Sequence, residues 1–190
     1  MGESYLIKLL SIEVDGETYK FYNNRWVDSM YCVAEGPALN KIYDHLIQTA
    51  RSYPYDTVYE YARMMKETEH YGQASKLIDY LIENREQSSL GANSALQRLV
   101  PMKTSCLRSM NNPRAAIEFF NKIIKEHKTL TFSSALYTSI AAAYCDVEDY
   151  DNALKYAKIA CALNTQDKAF ELIYLIKRLK AVFGEDCFNN

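Results

Sequence analysis

The chain has 190 residues, with 22 Lys and Arg against 24 Asp and Glu and a formal net charge of −2. So balanced a surface lacks the basic field that duplex nucleic acid requires, and no apolar stretch is long enough to cross a bilayer. The five cysteines (Cys32, Cys106, Cys145, Cys161, Cys187) make no CxxC, and His45, His70 and His127 are scattered, so no metal site or cofactor is expected and the thiols read as reduced, small apolar residues of a cytoplasmic protein.

The start, MGESYLIKLLSIEVDGE, has no basic n-region, so no signal peptide is expected. Its apolar run, then Asp15-Gly16, then ETYKFY predicts a β-hairpin, because both central residues of the two-residue turn need positive φ. Asn23-Asn24 offers a second turn before RWV, and MYCV a further short strand. The result is a small antiparallel meander with Leu6, Leu10, Ile12, Val14, Tyr19, Phe21 and Trp26 available for its buried side. A sheet this small is marginal alone and should pack against a helix or a partner.

Gly36-Pro37 ends the meander, and Pro37 suits the first turn of a helix whose apolar face is Leu39, Ile42, Tyr43, Leu46 and Ile47. Residues 1–53 are therefore expected to form one small region and residues 54–190 a helical one. Residues 55–68 and 71–86 read as a helix pair, with Val58, Tyr61, Ala62 and Met65 on the first helix and Tyr71, Ala74, Ile78 and Leu81 on the second. EQSSLGANS, residues 86–94, reads as a loop. A further pair follows. Pro101 is expected to kink or divide its first helix, while Pro113 opens the second, striped by Ala116, Ile117, Phe119, Phe120, Ile123 and Ile124.

The clearest pair is 134–163. Leu136, Tyr137, Ile140, Ala141 and Tyr144 recur at helical spacing, Asp149 is placed to cap the next helix, and Ala153, Ala157 and Ala160 are small enough for close backbone approach. This stretch resembles a tetratricopeptide repeat (TPR), whose signature runs W-x2-L-G-x2-Y…A-x3-F…P. Tyr137 stands at the Trp place, Ile140 at the Leu, Ala141 at the Gly, Tyr144 at the Tyr and Ala153 at the next small residue. Ala157 replaces the large aromatic, and Thr165 stands where Pro usually ends the unit. The resemblance extends over 55–183, with Ala74, Ala116 and Ala153 in register and Phe120 completing A-x3-F. A last amphipathic helix, DKAFELIYLIKRLKAVF, reads as a capping helix that Gly184 stops.

The expected fold is therefore mainly α, a TPR-like α-solenoid of about three helix pairs with a capping helix, preceded by a small antiparallel β meander and one helix. No phosphate loop, nucleophile elbow or zinc motif is present, and no enzyme is expected. The resemblance implies a protein–protein or peptide-binding module whose first helices line a groove. By register the groove residues are Asp56, Tyr59, Arg63 and Lys66, then Arg98, Ser105 and Arg108, then Ala135, Thr138, Ala142, Cys145 and Asp146. Four bases against two acids favour an acidic segment or a C-terminal carboxylate. The carboxylate-clamp pattern is not met, because Tyr59, Arg63, Met102, Ala135 and Ser139 occupy its places. The alternative is a structural, homo-oligomeric or inhibitor protein that binds through the N-terminal sheet edge or the last helix.

Overall fold

The computed structural model describes residues 11–23, 25–163 and 170–188. Leu6, Leu10, Asn24 and Thr165, which entered the sequence reading, lie outside them. Three strands precede the helices in an antiparallel sheet of order β1-β2-β3: β1 (Ser11–Val14), β2 (Glu17–Tyr22) and β3 (Arg25–Val27). The helices are α1 (Gly36–Gln48), α2 (Tyr55–Glu67), α3 (Tyr71–Glu83), α4 (Ala92–Ser109), α5 (Pro113–Glu126), α6 (Ser134–Asp146), α7 (Tyr150–Leu163) and α8 (Phe170–Phe183).

The chain divides into two compact units, Met1–Leu81 and Ile82–Asn190, where the sequence had suggested a division at 53/54. In the first unit Asp15 (φ 54°) and Gly16 (φ 80°) form the hairpin turn, and Ile12 pairs with Tyr19 across it. Alternation puts Ile12, Val14 and Tyr19 inside, and Trp26, 1 % exposed, packs on Phe21 at 5.4 Å between ring centroids. Helix α1 packs against β1, and Ile42, Tyr43 and Leu46 form its buried face. Tyr43 is also why the unit continues past residue 53. Its hydroxyl meets Thr68 Oγ1 at 2.8 Å and its ring stands edge-on to His70 at 4.6 Å, which ties α1 to the end of α2.

MYCV does not form a strand. Asp28 Oδ1 accepts from the backbone N–H of Met30 and of Cys32, at 2.9 and 2.8 Å, and this turn leaves only an isolated Val27–Val33 bridge.

The helix pairs α2/α3, α4/α5 and α6/α7 share one turn geometry. Two residues past the end of each first helix stands a residue of positive φ: Glu69 (64°), Asn111 (57°) and Glu148 (64°). The next N–H then reaches the carbonyl five residues back: His70 to Met65 at 2.8 Å, Asn112 to Leu107 at 3.0 Å and Asp149 to Tyr144 at 2.9 Å. This is the Schellman arrangement, which satisfies carbonyls that a helix end leaves unpaired. Four residues on stand Ala74, Ala116 and Ala153, each fully buried, with its N–H bonded to His70, Asn112 or Asp149. The fold is thus mainly α and helical-repeat-like, with one structural unit used three times.

Pro101 does not divide α4, which runs unbroken through it. Proline inside a helix costs about 3 kcal/mol, and burial of Leu96, Leu99, Val100 and Met102 on the flanking turns offsets that. In the second unit Phe120 and Tyr144 pack on Tyr156 at 5.4 and 5.5 Å, and Ala141, Ala153, Ala157 and Ala160 are fully buried in the same core. Asp149 caps α7 through its Oδ1, which accepts from Asn152 N at 3.2 Å. Leu172, Leu175 and Leu179 bury one face of α8, which packs on both α6 and α7.

Candidate functional site

The expected groove residues fall in both units. In the first, Tyr59 and Lys66 are half-buried on α2 and Arg63 is exposed. Arg63 is already held by its own helix: Nε bonds Glu60 at 2.8 Å and Nη1 bonds Glu67. These are (i, i+3) and (i, i+4) pairs, the usual arrangement on a solvated helix face.

In the second unit four of the expected residues come together, Arg108, Thr138, Ala142 and Asp146. Thr138, Ala142 and Asp146 lie at steps of four on α6, so they share a face. The last turn of α4 brings Arg108 to this face, and α8 brings Phe170, Glu171, Tyr174, Leu175 and Arg178. Together they line a pocket of about 260 Å³. Arg98 and Ser105 lie on α4 outside that lining.

Two arginines share one carboxylate at the pocket floor. Arg108 Nη2 reaches Asp146 Oδ2 at 3.2 Å, and Arg178 Nη1 reaches Asp146 Oδ1 at 3.2 Å. Arg178 Nη2 also donates to the Cys145 carbonyl at 2.9 Å. That carbonyl belongs to the C-terminal turn of α6, where it also accepts from Glu148 N at 3.1 Å and where the helix dipole favours cations. Glu171 is the other lining acid, but it lies two turns from Arg178 on α8, about 10 Å by helical rise. The floor therefore carries a local surplus of positive charge.

Cys145 requires a correction as a groove contact. Its side chain is fully buried in the core, and only its backbone carbonyl takes part in the site. Burial pushes its thiol pKa up, and the Asp146 charge adds to that, while Arg178 and Arg108 oppose it. The thiol is therefore neutral and packed. Thr138 is nearly buried and its hydroxyl donates to Ser134 O at 2.9 Å, so it offers mainly its methyl to the pocket.

Sequence reasoning missed the α8 contribution to this pocket, because it placed the last helix as a cap or a separate binding surface and not in the groove. The available signal was Phe170, Tyr174 and Arg178 at steps of four, a second helical stripe beside the Leu172–Leu175–Leu179 core face. Among the described residues no cluster of three or more His, Cys, Asp or Glu side chains could hold a metal ion, and no helix is long and apolar enough to cross a membrane. No protein-family model, no curated protein and no solved structure matches the sequence or the fold.

Proposed function

We propose that this protein is a TPR-like, non-enzymatic peptide-binding module of the cytoplasm whose pocket takes a carboxylate, from an acidic segment or from the C-terminus of a peptide. The observation that carries this reading is the pair of guanidiniums, Arg108 and Arg178, on the single carboxylate of Asp146. An incoming carboxylate would pair with the uncompensated cation through charge-assisted hydrogen bonds. The exposed rings of Phe170 and Tyr174 flank that position and would hold an adjacent apolar side chain.

The test is selection from a random peptide library with free C-termini against wild type and Arg108→Glu. Wild type should enrich peptides with a carboxylate beside an apolar residue, and Arg108→Glu should weaken them by about tenfold or more. Enrichment that ignores carboxylates, or is equal in both proteins, refutes the reading.

A second reading places binding on the first unit, through the turn beside β3. It is favoured by Met30 and Tyr31, exposed by 78 % and 67 % and held on the Asp28 turn. In that case Arg108→Glu is silent and a Met30→Ser/Tyr31→Ser variant loses the partner.

A further inference from the structure

Helix α8 has two stripes, an apolar core face and an exposed one rich in aromatic rings. Leu172, Leu175 and Leu179 face the core, and on the opposite side Phe170, Tyr174, Lys177 and Ala181 follow at steps of four, three and four, all exposed. Phe170 is 83 % and Tyr174 65 % exposed, far more than solvent-facing positions of a helix need to carry in aromatic residues. Steps of four and three are the seam spacing of paired helices.

The sequence along this seam is self-complementary when reversed. In an antiparallel pair of α8 helices, Phe170 of one copy stands opposite Ala181 of the other, large against small. Tyr174 stands opposite Lys177, a ring against an ammonium. On one flank Glu171 falls opposite Arg178, the arginine that shares Asp146 with Arg108 and so lacks a carboxylate of its own. On the other flank a shallow pocket of about 580 Å³, lined by Ile173, Ile176, Lys177, Lys180, Ala181 and Glu185, lies where the second copy would bring its own Ile173. A parallel pair would set Phe170 on Phe170 and Lys177 on Lys177, crowding one layer and repelling in another.

We propose that the protein self-associates through this seam as a two-fold, antiparallel α8–α8 dimer. One helix face buries less than the roughly 800 Å² per partner of a standard interface, so the dimer is weak and reversible, with a dissociation constant of about 10–100 μM. The seam shares Phe170, Tyr174, Glu171 and Arg178 with the Arg108 pocket, so dimer and peptide would compete there, but Ala181 lies outside the pocket and Arg108 outside the seam, so Ala181→Arg and Arg108→Glu test the two surfaces separately.

The test is sedimentation equilibrium of the full-length protein from about 10 μM to about 500 μM. Wild type should move from monomer to dimer mass across that range. Ala181→Arg and Phe170→Ala should each weaken the dimer by about tenfold or more. The swap Phe170→Ala/Ala181→Phe restores large against small in both layers and should return the constant to within about threefold of wild type. All these positions are exposed, and unchanged far-ultraviolet circular dichroism will confirm that the variants fold. A wild type that stays monomeric throughout overturns the proposal and leaves the seam to a heterologous helix. A dimer that survives both single variants lies on another surface and overturns it equally. A double variant no better than Phe170→Ala overturns the antiparallel register.

Discussion

Arg178 should anchor α8, and removing it should loosen that helix before any other in the second unit. Besides a side-chain hydrogen bond with Tyr150, the guanidinium makes an ion pair with Asp146 at 3.2 Å and a hydrogen bond to the Cys145 carbonyl at 2.9 Å. The ion pair is more than a third exposed on both sides, 38 % and 36 %, so solvent holds it to about 0.5 kcal/mol. The carbonyl bond is charge-assisted and ends on the backbone of a buried residue, so it contributes about 1 kcal/mol net. Arg178→Ala should therefore weaken α8 docking by about 1–2 kcal/mol, a factor of about 5 to 30 in local opening. The assay is native-state amide hydrogen exchange, with α5 as the internal reference. Exchange across α8 should speed by that factor while α5 keeps its rate. Arg178→Lys should recover less than half of the loss, because one ammonium on a flexible stem cannot span both acceptors as the planar fork does. Unchanged α8 exchange in the Ala variant, or complete rescue by Lys, would refute the anchoring argument.

Two further outcomes are expected. Asp146→Asn should change the unfolding free energy, read from chemical denaturation, by no more than about 0.5 kcal/mol, because the exposed pairs it loses and the helix-end repulsion it relieves are similar in size; a loss above about 2 kcal/mol would show that the cluster holds the fold together. Burial pushes the Tyr61 phenol up to about 12 from 10.0, with the nearby Tyr53 adding to the shift. Above pH 10 the unfolded protein releases this proton and the folded one keeps it, so stability is full below pH 10 and falls by about 2–3 kcal/mol as pH rises towards 12. Chemical denaturation at stepped alkaline pH, beside the same series on Tyr61→Phe, should show the Tyr61 part of the fall only in wild type.

The turns and the small-residue register were legible because each rests on neighbours in sequence. Asp15-Gly16 has one favourable conformation between β-favouring runs, and Asp149 needs only Asn152 to act as a cap. Ala74, Ala116 and Ala153 could be aligned because the same local packing demands a small residue each time. The left-handed residues were half legible: Asn111 is an ordinary choice there, but Glu69 and Glu148 are not, and only the Schellman bonds that enclose them reveal the need. The pocket was the least legible part. Arg178 and Asp146 are 32 residues apart, and neither side chain announces the other. Cys145 failed as a ligand contact for a related reason. The step from Asp146 to Cys145 rotates the side chain by about 100°, from the pocket edge into the core.

Asp146 itself argues that the cluster is more than a fastening. A carboxylate on the last residue of α6 sits where the helix dipole disfavours negative charge, by about 0.3–1 kcal/mol. Each exposed ion pair it makes returns about 0.2–1 kcal/mol, so the net gain in stability is small. An asparagine there would avoid that electrostatic cost. What the carboxylate does achieve is position: it draws two guanidiniums from helices far apart in sequence to one point, and holds them there without a ligand. Two cations brought together around one anion are already oriented for a second. A second anion, whether a peptide carboxylate or Glu171 of another copy, would meet donors whose ordering cost was met on folding.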